Sequence, residues 1–142
     1  MLHCVMELND IVAITIWWCE GSKARRDYRW KNSYLYPIEV TNTDPKIIKA
    51  FLNLLQKRFN LPLSKIKGQL QIHIGDDKTK LENFWSNQTG IPVAQFNKTI
   101  IRKNGLRRKK STGTFKVRVY NKELFFKLSD LLNKKIIHKI GV

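Results

Sequence analysis

Ile11-Val12-Ala13-Ile14-Thr15-Ile16-Trp17-Trp18-Cys19 is nine uncharged residues in a row, and it delivers one carboxylate, Glu20, to a Gly21-Ser22 break. That carboxylate needs a reason. The plain one is a helix-end acid on a core segment, with no chemistry of its own. The second chemical feature is cationic. Between Lys98 and Arg118 there are nine basic residues and no acidic one: Lys98, Arg102, Lys103, Arg107, Arg108, Lys109, Lys110, Lys116 and Arg118. Across the whole chain 27 Lys and Arg face 11 Asp and Glu, a formal net charge of +16 on 142 residues. A polyanion is the first partner such a balance implies. With hydrophobic residues at 42% the chain is a folded basic domain and not a disordered tail.

The spacing of these residues matches groove reading. Thr114-Phe115-Lys116-Val117-Arg118-Val119-Tyr120 alternates strictly, with Phe115, Val117 and Val119 inward and Lys116, Arg118 and Tyr120 outward. A basic loop over residues 104–111 precedes it. A β-hairpin around that loop fits the major groove, with Lys116 and Arg118 over base edges and Arg107, Arg108, Lys109 and Lys110 on phosphates. Gln69, Gln71 and His73 share one face of a second alternating strand, and Gln pairs bidentately with adenine. Arg25, Arg26, Arg29 and Lys31 extend the footprint, and Arg102 lies in the same basic stretch.

The elements that must position these groups can be read coarsely. Residues 36–41 alternate as a half-buried strand. Asp44 reads as the N-cap and Pro45 as the first residue of a helix whose apolar face carries Ile47, Ile48, Phe51, Leu52, Leu54, Leu55 and Phe59, and Asn60-Leu61-Pro62 ends it. After the strand at 69–74, Gly75-Asp76-Asp77 turns the chain into a helix bearing Leu81, Phe84 and Trp85, with Thr79 and Glu82 at capping-box spacing as an alternative start. Residues 93–102 are an extended candidate. If Phe96 is in the core there, Lys98 and Arg102 share its side and only strand ends or bends expose them. A last helix carries Leu124, Phe125, Leu128, Leu131 and Leu132 after Asn121, and residues 134–139 form a tail expected to fray. The order is helix, strands, helix, strand, helix, strands, helix. It predicts one α+β domain over residues 1–142, an antiparallel sheet with helices on one face.

The helix ending in Glu20-Gly21 resembles the signature helix of the LAGLIDADG homing endonucleases. Ala13 to Gly21 lies on the family's nine letters, with the acid and glycine matching at Glu20 and Gly21. Thr15 and Cys19 stand where the family prefers Gly or Ala for close helix contact. Further strings appear in family order: Val40-Thr41-Asn42-Thr43-Asp44, Phe84-Trp85, Gly90-Ile91-Pro92 and Phe96-Asn97-Lys98-Thr99. The resemblance covers about residues 11–132. It implies a β-sheet saddle on the duplex. A single copy of the motif implies a homodimer packed through the first helix, with Ala13, Ile14, Thr15, Trp18 and Cys19 at the interface.

The family's chemistry implies site-specific cleavage of double-stranded DNA. A divalent cation, Mg²⁺ or Mn²⁺, neutralises charge at the scissile phosphate, and one carboxylate per chain plus the DNA's own oxygens suffices to hold it. Glu20, with Gly21, is the metal end. Lys98 and Lys116 are the two candidates for the catalytic lysine, and Ser22, Gln71 and Asn42 are candidates to order water. Two further readings stay open: a catalytically inactive DNA-binding transcriptional regulator of the same fold, and an intron RNA maturase.

Cys4 and Cys19 form no metal-like pair and no disulfide scaffold. His3, His73 and His138 lack zinc spacing. No glycine-rich phosphate loop or Ser-His-Asp arrangement is readable, and no small-molecule cofactor is expected. No apolar run approaches the ~20 residues that span a bilayer. Without a basic, apolar leader pattern the expectation is a prokaryotic cytosolic or nucleoid protein with no membrane partner.

Overall fold

Leu8–Glu20 form helix α1, which buries Ala13, Ile14 and Trp17. In the computed structural model, residues 6–103 and 111–142 are described. A short antiparallel ribbon follows, β1 (Arg25–Asp27) with β2 (Ser33–Leu35), and β2 runs through Tyr36 into β3 (Pro37–Asn42). Asp44 caps α2 (Pro45–Asn53) by accepting from the Lys46 amide at 2.9 Å. The helix then widens into a π-helical turn over Leu54–Arg58. Asn60, at φ 52°, takes the left-handed turn that ends it.

β4 (Lys67–His73) leads through Asp77, which accepts from the Lys80 amide at 3.1 Å, into α3 (Lys78–Thr89). The capping-box start at Thr79 is therefore not used. Gly90, at φ 78°, closes α3 in the left-handed conformation that glycine adopts without strain. β5 (Ile100–Arg102), β6 (Thr114–Tyr120) and α4 (Lys122–Leu132, capped by Asn121) complete the order. The expected tail does not fray at once: α4 continues as a π-helical turn over Asn133–Ile137.

β3, β6, β4 and β5 form one sheet in that order. β6 is antiparallel to both β3 and β4, whereas β4 and β5 are parallel. The all-antiparallel expectation fails at this last pair because α3 carries the chain back to the starting end of β4, and such a crossover makes neighbours parallel. The expected hairpin around residues 104–111 fails too. β5 and β6 are not neighbours, since β4 lies between them.

Alternation sorts the two faces. Ile38 and Val40, Val117 and Phe115, Leu70 and Ile72 point into the core, where helix residues Ile14, Ile48, Phe51, Trp85 and Leu128 cover them. Trp85 stacks on Phe115 at 4.9 Å and 7°. A Cβ on Gly68 would stand 2.4 Å from Phe115 Cζ, so only glycine lets that ring lie over β4. The result is an α+β fold whose helices pack on one face of the sheet, leaving the other uncovered by them. Among the described residues no helix is long and apolar enough to cross a membrane.

Candidate nucleic-acid interface

The uncovered sheet face collects the polar half of each alternating strand, and the register arranges it in rows. Glu39 lies beside Arg118 and Arg118 beside Lys67; Thr41 lies beside Lys116 and Lys116 beside Gln69. Thr114 is followed by Gln71 and Ile100, and His73 by Arg102. The backbone at Lys98 adjoins the second row beyond β4, since Gln69 Nε2 donates to the Lys98 carbonyl at 2.9 Å. Of the two candidate lysines, Lys116 lies in that row and Lys98 meets it through its main chain. Lys116 is half-buried and Lys98 exposed.

A bulge decides which way the segment after Phe96 faces. Phe96 pairs beside Gly68 and Ile100 beside Gln71, four residues against three. The extra residue inverts the alternation. Phe96 thus packs on Phe115 at 5.1 Å, while Arg102 emerges on the polar face, where its guanidinium meets the Gln71 side-chain oxygen. The expectation that Phe96, Lys98 and Arg102 share a side does not hold for Arg102.

The first helix meets this face at its edge. Gly21 bridges to Val40 on the free side of β3. Its backbone is extended, at φ −80°, which any residue adopts, so conformation is not the reason for glycine. Space is: a Cβ there would lie 2.3 Å from the Trp17 carbonyl oxygen and 2.6 Å from Trp17 Cδ1. Gly21 lets α1 end against its own last turn and pass directly into the sheet edge. Glu20, one residue earlier, is exposed, and its side chain makes no hydrogen bond or ion pair among the described residues. It stands at the level of the row that runs from Thr41 through Lys116 to Gln69.

Sequence reasoning missed the next residue in this corner. Glu39 is buried, accepts from Ser22 Oγ on one oxygen, and on the other accepts from Arg118 Nε at 2.5 Å. Burial alone pushes its pKa up. The Ser22 and Arg118 hydrogen bonds and the charges of Arg118 and Lys116 outweigh that and hold it below the usual carboxylate value. Ser22, Glu39 and Arg118 come from the chain after α1, from β3 and from β6, so one carboxylate ties the end of the first helix to the middle of the sheet. Glu39 was visible as a polar position in the alternation of 36–41. Its partners were not, because strand order is non-local. Lys67, third in Glu39's row, was likewise missed, since it lies just outside the alternating stretch 69–74.

Other expected site residues divide. Ser22 serves Glu39, Asn42 Oδ1 accepts from the Asp44 amide, and Gln71 faces Arg102, so none of these three is an uncommitted water-ordering group. His73 sits on the polar face, its amide held by Asp76. Arg25 and Arg26 are exposed on β1, and Arg29 is exposed just beyond it. Arg107, Arg108, Lys109 and Lys110 lie outside the described residues.

Within the expected interface, Ala13 and Ile14 are wholly buried in this chain's own core and offer nothing to a second chain. The correction is one of helix phase. Thr15 and Trp18 are half-buried and Cys19 exposed, and the open stripe of α1 is Leu8, Ile11, Val12, Thr15 and Cys19 at three- and four-residue spacing.

As a cation site the corner supplies one carboxylate, Glu20, whose side chain has no partner among the described residues. Among the described residues no three His, Cys, Asp or Glu side chains cluster. A hard cation shared with phosphate oxygens needs no such cluster, and Glu20 suits that arrangement. No protein-family model, no curated protein and no solved structure matches this chain.

Proposed function

We propose that this chain is a homodimeric, Mg²⁺-dependent DNA endonuclease of the LAGLIDADG type, which hydrolyses both strands of a long, near-palindromic site. The observation that carries the reading is the junction of α1 with the sheet: an exposed, uncommitted Glu20 at the edge of a polar face that is rich in cations and amides. Glu20 and Gly21 form the metal end, with Glu20 as the ligand. When bound, the cation neutralises charge developing at the scissile phosphate and generates the nucleophile from water. Lys116, in the adjoining row, and Lys98, whose main chain meets that row at Gln69, supply positive charge to the same phosphate. Gln69, Gln71, His73, Arg102 and Arg118 face base edges, and Lys67 and residues 107–110 hold the backbone.

A dimer is supported by the open stripe of α1. Leu8, Ile11 and Val12 are apolar side chains left to water on a helix whose opposite side is core. Two such stripes packed together exclude that water and bring both Glu20 residues near one dyad, one for each strand.

The test is incubation with a randomised duplex library in Mg²⁺ and, separately, in Ca²⁺, which supports binding without turnover. Recovery of cleaved, near-palindromic sequences in Mg²⁺ is expected. Glu20→Gln keeps size and hydrogen-bonding capacity but removes the charge, so cleavage vanishes while binding survives or tightens. Cleavage at the wild-type rate by Glu20→Gln refutes the assignment. The commitment of Ser22, Asn42 and Gln71 to other partners favours a second reading, a sequence-specific DNA binder without cleavage. The same library separates it, through enrichment in both ions and cutting in neither.

A further inference from the structure

The β1–β2 ribbon and its turn carry three rings that the core does not use. Tyr28, Trp30 and Tyr34 are 86%, 68% and 55% exposed, all within seven residues. Apolar area left in water forgoes about 25 cal/mol per Å² of stabilisation, and an exposed aromatic cluster on a rigid element marks a binding surface. The turn is rigid. Arg29 donates through Nε at 2.9 Å and Nη2 at 2.8 Å to the two oxygens of Asp27, and its amide donates to the same side chain at 3.1 Å. Those hydrogen bonds hold the buried Asp27 below the usual carboxylate range. Asp27 then pairs with Ser33, leaving residues 28–32 as the displayed tip.

Charge selects the partner. Arg25, Arg26, Arg29 and Lys31 face the single acid Asp27, so the ribbon is net cationic by three. The Arg26 guanidinium lies over the Tyr28 ring at 5.4 Å, and Arg26 pairs across the ribbon with Tyr34. Rings interleaved with cations fit a ligand that has both flat π faces and regularly spaced anions. In a duplex each base face is covered by its neighbours, so only unpaired bases can stack on a side chain.

We propose that the β1–β2 tip is a second nucleic-acid site, which stacks unpaired nucleobases on Tyr28 and Trp30 while Arg25, Arg26 and Lys31 hold the adjoining phosphates. It rests on the nucleic-acid reading above for the class of ligand and goes beyond it in the state of that ligand: a single-stranded or locally opened segment, separate from the duplex on the sheet face.

The test measures fluorescence anisotropy of a labelled twelve-nucleotide single strand, as DNA and as RNA, and of a labelled duplex, against the intact chain. Wild type is expected to bind single strands. Trp30→Ala and Tyr28→Ala should each weaken that binding by about 5- to 150-fold, the range of one lost base stack, and leave duplex binding within about twofold. Trp30→Phe should retain most of it. The DNA and RNA arms identify the sugar the site accepts. Circular dichroism checks that these exposed positions leave the fold intact. Wild-type binding of single strands by both alanine variants overturns the proposal, and so does equal loss for duplex and single strand. Duplex binding without single-strand binding by wild type overturns this proposal alone, whereas binding of neither overturns the nucleic-acid reading as well.

Discussion

Replacing Glu39 by Gln probes a buried ion pair that links the end of α1 to the sheet. Gln keeps the shape and a carbonyl for Ser22, but turns a charge that faced Arg118 into a dipole with donors of its own. Arg118 is then left beside Lys67 and Lys116 with no anion in its row. Removing one partner of a fully buried pair costs about 3–5 kcal/mol. Here the side chains of Glu39 and Arg118 are 8% and 24% exposed. Water therefore covers part of the orphaned guanidinium, and we expect about 2–3 kcal/mol. For a chain of this length that lowers the midpoint of thermal unfolding by roughly 5–10 °C. Removing both charges, Glu39→Gln with Arg118→Gln, should recover much of the loss, giving a coupling of about 1–2 kcal/mol in a double-mutant cycle. The pH dependence carries its own sign. Glu39 is depressed in the folded chain, so its stabilisation is complete above the unfolded carboxylate value, about 4.3. It is lost as pH falls through the lower folded value. The gap between wild type and Glu39→Gln, followed by urea denaturation from pH 7 to pH 3, should close at the acidic end. A variant within about 0.5 kcal/mol of wild type at pH 7, well below the expected loss of about 2–3 kcal/mol, refutes the assignment, and so does a gap that does not change with pH.

Gly21→Ala puts a Cβ 2.3 Å from the Trp17 carbonyl oxygen. The end of α1 must shift, at about 1–3 kcal/mol, and cleavage should fall with it; an unchanged thermal midpoint shows that the helix end yields freely. Thr15→Arg places a charge in the middle of the open stripe of α1. A desolvated, unpaired charge at a helix seam costs several kcal/mol, so light scattering should report monomers where wild type gives dimers, and a wild-type monomer that still cleaves DNA defeats the dimer reading. Duplex affinity should fall linearly with salt on logarithmic axes, and Lys67→Ala should flatten that slope by about 0.9 for each phosphate the lysine neutralises. An unchanged slope places Lys67 away from the backbone.

Much of this fold was legible because its signals are local. Period-2 alternation in 69–74 and 114–120 identified two strands and the faces of all but Ile74, which lies past the end of β4 and is exposed, since each side chain's direction follows from its neighbours alone. Asp44-Pro45 and Asn121 started the helices they were expected to start, because a cap acts within three residues. What escaped was long-range. Nothing in residues 93–120 says that β4 will lie between β5 and β6, so adjacent strands were read as a hairpin. The bulge before Ile100 escaped for the same reason: an extra residue is defined only against the strand it fails to match. On α1 the uncharged run shows which residues are apolar, but not which side the sheet will occupy. Ala13 and Ile14, which face the core, were therefore expected on the outer side, and the exposed Leu8, Ile11 and Val12 were not singled out.

The candidate site divides along the same line, and its two carboxylates make the division clear. Glu20 was legible because its context is consecutive: an apolar helix, an acid, a glycine. Glu39 was not, because its partners lie 17 residues before it and 79 after it. Yet each bears on how the other is read. An acid held in an ion pair with Arg118 and Lys116 would be a poor cation ligand, and Glu20 is not held in that way among the described residues. Glu39 takes that role instead. It meets Arg118 directly and feels the charge of Lys116, so Glu20 is left exposed. A corner built for stability alone would have little reason to carry a second, uncommitted acid on so basic a face. A corner that must hold a cation against DNA needs one, and the different fates of Glu39→Gln, which should unfold more easily, and Glu20→Gln, which should fold normally and fail to cut, are what separate the two.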